Sequence, residues 1–228
     1  NTPPTADDST LVVDEDIPSS GAVTGSDAEG DPLTFALVDG TAHGSLEFNG
    51  DGTFTYTPDG DWFGADSFTF TANDGEFDSS LGTVSITVNA VNDAPTADDA
   101  DFATDEDLPL EGLLSGADIE NDLLAFALVQ QPAHGSAVVN GDGTFTYTPD
   151  ADWFGDDSFT FTANDGEQDS PFGTVSITVN PINDAPAADD ASFEIDEDAA
   201  LANVLNAADA ENDPITFALA TGADHGTV

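Results

Sequence analysis

The stretch "TFTYTPDGDWFGADSFTFTA", residues 53–72, reads as two short strands around an acidic turn. Phe54 and Tyr56 alternate with Thr53, Thr55 and Thr57, and Phe68 and Phe70 alternate with Ser67, Thr69 and Thr71. Successive side chains of a strand point to opposite faces, so this period of two gathers the aromatics on one face and the hydroxyls on the other. Working outward, "TVSITVN" (residues 83–89) turns Val84, Ile86 and Val88 inward, and "LTFAL" (residues 33–37) does the same with Leu33, Phe35 and Leu37. Weaker strands are expected at 11–13, 18–23 and 45–48, with "NGDGT" between Phe48 and Phe54 as a Gly-rich hairpin turn. Seven short strands and no helical periodicity predict an all-β fold, a seven-stranded antiparallel immunoglobulin-like β-sandwich.

The unit recurs. "DED" begins at Asp14, Asp105 and Asp196, each 91 residues after the last, and the "HG" pair at His43, His134 and His225 keeps the same spacing. "NDAP" at Asn92 and Asn183 does so too, with "NTPP" at Asn1 in the equivalent slot. Tandem repeats at residues 1–91 and 92–182 follow, and residues 183–228 form the N-terminal half of a third. That half lacks the counterparts of the last three strands and cannot close a sandwich alone, so the parent chain is expected to continue past Val228. With no initial Met and no signal peptide, the chain reads as a mature fragment of something longer.

Composition narrows the function. The chain holds 47 acidic residues and no Lys or Arg, a formal charge of -47. Such a chain repels nucleic-acid phosphates and anionic membranes, and cations are its natural partners. Hydrophobic residues still make up 39%, with sixteen Phe, enough to build cores. The absence of Cys excludes disulfides and thiol chemistry, which leaves metal as the usual staple for a secreted domain. No apolar run approaches the roughly 18 residues of a membrane-spanning helix.

The position of the charge matters more than its amount. The outward strand faces carry Thr and Ser, whereas the carboxylates crowd into "DEDIP", "SDAEGDP", "DGDWFGADS", "ANDGEFD" and "VNDAPTADD", all at turns or strand ends. Clustered carboxylates raise one another's pKa and oppose folding unless a cation intervenes. Oxygen ligands in sets of six to eight suit Ca²⁺ better than Mg²⁺, which demands a strict octahedron. The competing reading is a merely solvated acidic surface.

The ordered set "NDAP", "DED", "HG", "DGTFTYTP", "DWFGADSFTF", "ANDG", "TVSITV" resembles the cadherin-like and immunoglobulin-like tandem repeats of large bacterial surface adhesins. The resemblance covers the whole chain and implies calcium held between consecutive repeats. Carried over by position, it implies ligands Glu15, Asp66, Asn92, Asp93, Asp118, Glu120 and Asp165 at the first junction. At the second it implies Glu106, Asp157, Asn183, Asp184, Asp209 and Glu211. Two departures stand out. The cadherin Asp-Arg-Glu motif is missing, with "GADSF" and "GDDSF" near its place, and the Asn-Asp-Ala-Pro linker is one ligand short, so fewer ions per junction are expected. "DGDWFGAD" and "DADWFGDD" loosely resemble a calcium loop but lack its closing Glu, and an Asp-rich turn is the simpler reading.

Other features lead elsewhere. Each repeat has one His with no Cys or second His beside it, as suits a structural His before a Gly turn. Trp62 and Trp153 read as core residues rather than sugar platforms, with Phe63 and Phe154 the more exposed. Any carboxylate pair recurs in each unit, whereas an enzyme needs one shaped cleft, so catalysis is not expected. The sequence therefore predicts a calcium-rigidified extender segment of an extracellular bacterial adhesin or fibre, its partners the neighbouring repeats of the same chain. The alternatives are a carbohydrate-binding module for a surface glycan and a filament subunit that contacts other copies of itself.

Overall fold

The computed structural model describes residues 1–224; His225 lies outside the described residues. Contacts divide the chain into two units. The first comprises Asn1–Asp93 together with Ile119–Asp122, and the second comprises Ala94–Asp118 and the residues from Leu123 onward.

The first unit holds β1 (Thr5–Ala6), β2 (Ser9–Asp14), β3 (Ser19–Ala22), β4 (Gly25–Ser26), β5 (Thr34–Asp39), β6 (Gly44–Phe48), β7 (Thr53–Pro58), β8 (Gly64–Asn73) and β9 (Gly82–Asn89). Seven of these form a sandwich, with a four-stranded sheet in the order β2-β9-β8-β5 and a three-stranded sheet in the order β3-β7-β6. The short strands β1 and β4 make a separate ribbon. The alternation read from residues 53–72 holds atom by atom. Phe54, Tyr56, Phe68, Phe70, Val84, Ile86 and Val88 are buried in one cluster with Val13 and Val23. Phe70 meets Phe35, Phe48 and Phe68 at ring-centroid distances of 6.1, 6.4 and 6.5 Å. Each fully buried aromatic of this kind contributes about 1.5–3 kcal/mol relative to exposure. The β6–β7 hairpin closes with Gly52 at φ 87°, where a Cβ would sit 2.9 Å from the Phe35 ring, while Asp51 accepts the Thr53 N–H and O–H.

One pairing departs from the antiparallel pattern. β2 runs parallel to β9, matching Ser9 with Val84 through to Asp14 with Asn89. The first strand of the unit is split, β1 serving the ribbon and β2 crossing to the other sheet, and there it lies beside the last strand in the same direction.

The second unit repeats this plan with β10 (Thr96–Ala97), β11 (Ala100–Asp105), β12 (Leu110–Leu113), β13 (Gly116–Ala117), β14 (Ala125–Gln130), β15 (Gly135–Val139), β16 (Thr144–Pro149), β17 (Gly155–Asn164) and β18 (Gly173–Asn180). Its sheets run β11-β18-β17-β14 and β12-β16-β15, with β11 parallel to β18. Phe145, Tyr147, Phe159, Phe161, Val175, Ile177 and Val179 fill the core. Beyond it, β19 (Ala187–Ala188) pairs with β20 (Ala207–Ala208), and Phe193, Ile195, Leu201 and Phe217 are exposed.

Candidate metal centre

The parallel β2–β9 pair builds the centre. Because Asp14 lies level with Asn89, the next residue, Glu15, arrives where the chain leaves β9, and its N–H donates to the Asn89 carbonyl at 3.0 Å. Its side chain is 1% exposed. Glu15 Oε1 accepts the Val91 N–H at 2.7 Å, but buried Oε2 has no hydrogen-bond donor. Asp93 N–H donates to Glu120 Oε2 at 3.2 Å, which brings in the 119–122 stretch, and buried Glu120 Oε1 has no donor. Glu15, Asp93 and Glu120 each offer an oxygen within 4.8 Å of the others.

A second group shares Asp93. Asp16 and Asp61 both adopt left-handed backbone, at φ 61° and 57°, and Asp61 N–H donates to Asp16 Oδ1 at 3.2 Å. Asp and Asn tolerate this conformation better than other side chains that carry a Cβ. Oxygens of Asp16, Asp61 and Asp93 also lie within 4.8 Å of one another, so five carboxylates converge on two adjoining points.

The second unit contains the same arrangement. Glu106 is 2% exposed, Oε1 accepts the Ile182 N–H at 2.6 Å, and buried Oε2 has no donor. Asp184 N–H donates to Glu211 Oε2 at 3.1 Å, while Glu211 Oε1 and Asp184 Oδ2 are buried without donors. The clusters are Glu106, Asp184, Glu211 and Asp107, Asp152, Asp184, again sharing one Asp. Asp152 N–H bonds Asp107 Oδ1 at 3.2 Å.

The electrostatics follow from the crowding. Burial pushes the Glu15 carboxyl above its ordinary range; the Val91 N–H opposes this, and the charges of Glu120, Asp93 and Asp16 add to it. Asp184 is raised by burial first, then by Glu211, Asp152 and Asp107. The chain has no Lys or Arg to offset this, and every ligand atom in these groups is a hard carboxylate oxygen. Buried, unpartnered carboxylate oxygens that converge in sets fit a hard divalent cation of calcium's type, and the set holds no sulfur or imidazole for softer metals.

Of the ligands the sequence implies, the structure thus gathers Glu15, Asp93 and Glu120 in the first unit and Glu106, Asp184 and Glu211 in the second. Asn92 and Asn183 instead donate through Nδ2 to the carbonyls of Asp93 and Asp184, shaping the linker turns. Asp118 follows β13 with a buried Oδ2, and Asp209 Oδ1 accepts the Asp213 N–H at 2.8 Å. Asp165 Oδ1 caps a turn by accepting the Glu167 and Gln168 N–H groups.

Asp66 and Asp157 are placed differently from the expectation. Asp66 accepts from the N–H groups of Ala42, His43 and Ser67 at 2.8–2.9 Å and from the Tyr56 hydroxyl at 3.1 Å. Burial alone would raise its carboxyl, but these hydrogen bonds outweigh it and hold the group below its ordinary range. Asp157 is bound in the same way by Ala133, His134, Ser158 and Tyr147. Both carboxylates are consumed by the protein's own donors.

Conversely, Asp16, Asp61, Asp107 and Asp152 join the clusters although the resemblance did not carry them over. Asp61 and Asp152 stand in the "DGDW" and "DADW" turns, the signal that marked those loops as loosely calcium-like.

Comparison with known proteins places this geometry. Residues 1–90 match the family described as bacterial cadherin-like domain, and residues 92–178 match bacterial Ig domain. Integrin beta-like protein A of Dictyostelium discoideum is 30% identical over 180 residues, which is 68% of this chain and 9% of that protein. Integrin beta-like protein B of the same organism is 31% identical over 111 residues, covering 42% of this chain and 6% of that protein. The chain thus spans less than a tenth of either relative. Among solved structures, human CDH23 EC21-23 superposes with TM-score 0.62 at 16% identity over 92% of this chain and 80% of that one. Human Protocadherin-24 EC1-2 gives 0.56 at 14% identity, covering 80% and 99%. Human Mucin-like Protocadherin EC1-2 gives 0.53 at 17% identity, covering 78% and 98%. At these identities the structural likeness speaks for the fold.

Proposed function

We propose, from the premise that residues 1–90 are a bacterial cadherin-like domain and residues 92–178 a bacterial Ig domain, that this chain is an extender segment of an extracellular adhesin or fibre, stiffened by calcium. One observation carries the reading. Glu15 and Glu106 are each almost fully buried with an oxygen that no donor satisfies, in a chain with no Lys or Arg. Such a group costs several kcal/mol unless a counter-charge is supplied.

Glu15, Asp93 and Glu120 would hold one ion, and Asp16 and Asp61 would hold a second beside the shared Asp93. Glu106, Asp184, Glu211, Asp107 and Asp152 would do the same further on. The bound ion supplies positive charge that lets carboxylates from distant parts of the sequence stay together. Glu15 belongs to the first 91-residue copy and Glu120 to the second, and Asp93 lies in the linker, so occupancy would restrain one copy against the next. Val91 and Asp93 N–H groups already orient two of the carboxylates before an ion arrives. Extracellular modules of this kind bind calcium at about 10⁻⁴–10⁻³ M, a range met outside cells and not in cytosol. Secretion and anchoring belong to the same proposal. Sugar stacking on Trp62 has less support, since one indole face is covered by His43 and the residue packs against the core.

The test is small-angle scattering of the chain, with calorimetry, during calcium and magnesium titrations. Saturable calcium binding that narrows and lengthens the distance distribution, with magnesium ineffective, supports the proposal. A scattering curve and heat signal indifferent to calcium and chelator would refute it.

A further inference from the structure

Asp66, taken out of the ligand set, leads to another role through His43. The His43 N–H donates to Asp66 at 2.9 Å, and its carbonyl accepts from the Tyr56 hydroxyl at 2.9 Å and from the Asp59 N–H at 3.2 Å. Three hydrogen bonds therefore fix the backbone of an otherwise exposed residue. Its ring lies flat on Trp62, with centroids 4.2 Å apart and planes 7° from parallel. Trp62 also packs against the core of the first unit. Gly64, at φ 145°, makes room: a Cβ there would come within 3.1 Å of the indole.

The clamp grips both ends of the turn that carries Asp61. Asp59 at its start is bonded to the His43 carbonyl, and Trp62 at its end is held beneath the imidazole. Between them Asp61 adopts left-handed φ and bonds to Asp16. A left-handed residue with a Cβ persists where its surroundings over-determine it. The second unit reproduces each element. His134 donates to Asp157 at 3.0 Å and accepts from Tyr147 at 3.2 Å and Asp150 at 3.1 Å. Its ring stacks on Trp153 at 4.3 Å and 7°, directly after Asp152 at φ 54°.

We infer that His43 and Asp66, and likewise His134 and Asp157, are positioning residues that set the Asp61 and Asp152 carboxylates for a cation. The inference rests on the calcium reading above. Asp66 fixes the His43 backbone, the imidazole lies across Trp62, and the turn between Asp59 and Trp62 presents Asp61 beside Asp16. Neither His43 nor Asp66 touches the ion. What the pair supplies is a preformed carboxylate, so that binding does not have to order the turn.

The test uses the full chain carrying Trp153→Phe, which leaves Trp62 as its one indole. Terbium(III), an oxygen-seeking ion close to calcium in size, emits when excited through a nearby indole, so emission reports binding beside Asp61. Adding His43→Ala should weaken the Trp62-sensitised terbium affinity by about tenfold, the low end for groups that orient metal ligands. His43→Phe, which keeps a flat ring on the indole, should restore it to within about twofold. Melting in chelator shows whether His43→Ala disturbs the fold itself; if it does, the Phe variant decides. Equal affinity in the Ala variant and its parent overturns the inference, as does a Phe variant no better than Ala. A parent without saturable emission overturns the calcium reading as well, so the two failures are told apart.

Discussion

Replacing Glu15 by Gln should stabilise the chain in chelator and give up much of that advantage in calcium. The substitution keeps the side-chain oxygen that accepts the Val91 N–H at 2.7 Å and removes one negative charge from a set whose oxygens lie within 4.8 Å. At that separation two unit charges repel by about 0.9 kcal/mol in a water-like medium and about 3.5 kcal/mol at an effective dielectric of 20. Glu15 faces Asp93 and Glu120 together, so relief of about 1–3 kcal/mol is expected in chelator. In a domain of this size each kcal/mol moves Tm by about 4–8 °C, so the variant's first unit should melt at least about 4 °C higher than the parent's. With calcium the variant's advantage shrinks. At ten to a hundred times Kd, an ion stabilises the parent by about 1.4–2.7 kcal/mol, and a tenfold loss of affinity removes about 1.0–1.3 kcal/mol of that. Differential scanning calorimetry of the chain in chelator and in calcium measures both, with the second unit as internal reference. A variant that melts lower in chelator, or that gains as much from calcium as the parent, would contradict the assignment of Glu15 as a charge awaiting a cation.

Two further expectations concern the other carboxylates and pH. Asp66→Asn weakens or orphans hydrogen bonds from Ala42, His43, Ser67 and Tyr56 and should cost about 1–3 kcal/mol in the first unit. Because the folded Asp66 carboxyl lies below its ordinary range, its contribution is complete above that range and is lost as pH falls through the folded value. Acid titrations followed by circular dichroism should therefore show a shallower acid limb in the Asn variant, and an unchanged limb counts against the argument. Glu15 works in the opposite sense. Its carboxyl is raised by burial and by Glu120, Asp93 and Asp16, so calcium-free protein should gain stability as pH falls through that raised value toward the ordinary carboxylate range. The increment from calcium should shrink over the same interval, since protons and the ion compete for one oxygen; an increment independent of pH would exclude Glu15 as a ligand.

The sandwich was legible because its strands are amphipathic at short range. "TFTYTP" needed only its own alternation to specify β7, and "SFTFTA" and "TVSITVN" did the same for β8, which extends one to three residues further at its ends, and β9, which starts one residue earlier. The parallel β2–β9 pair was not legible. The residues of β2 carry no mark of direction, and only the fold shows which neighbour they meet. In the centre, Glu15, Asp93 and Glu120 hold fixed places in an ordered set of motifs, so the sequence could name three residues whose oxygens the fold brings within 4.8 Å of one another. The surroundings of Asp66 were not legible either, because a carboxylate beside a Gly turn looks the same whether it faces an ion or four of the protein's own donors. That Asp16 and Asp61 join the same group of carboxylates was not legible, because their reach depends on left-handed backbone, which Asp permits without demanding.

The parallel pair also determines how a unit answers mechanical load. β2 lies near the start of the first unit and β9 near its end, and they run the same way through six matched positions, Ser9–Val84 to Asp14–Asn89. Tension on the two ends drags these strands past each other along their length, so the rungs between them must yield together. A hairpin pulled open from its mouth gives way one rung at a time. Single-molecule stretching distinguishes the two: an unfolding force no greater than that of a peeled hairpin would count against the shear geometry. The register that delivers Glu15 to its carboxylate partners therefore also makes the unit a sheared clasp, hardest to part along the line on which a tether is pulled.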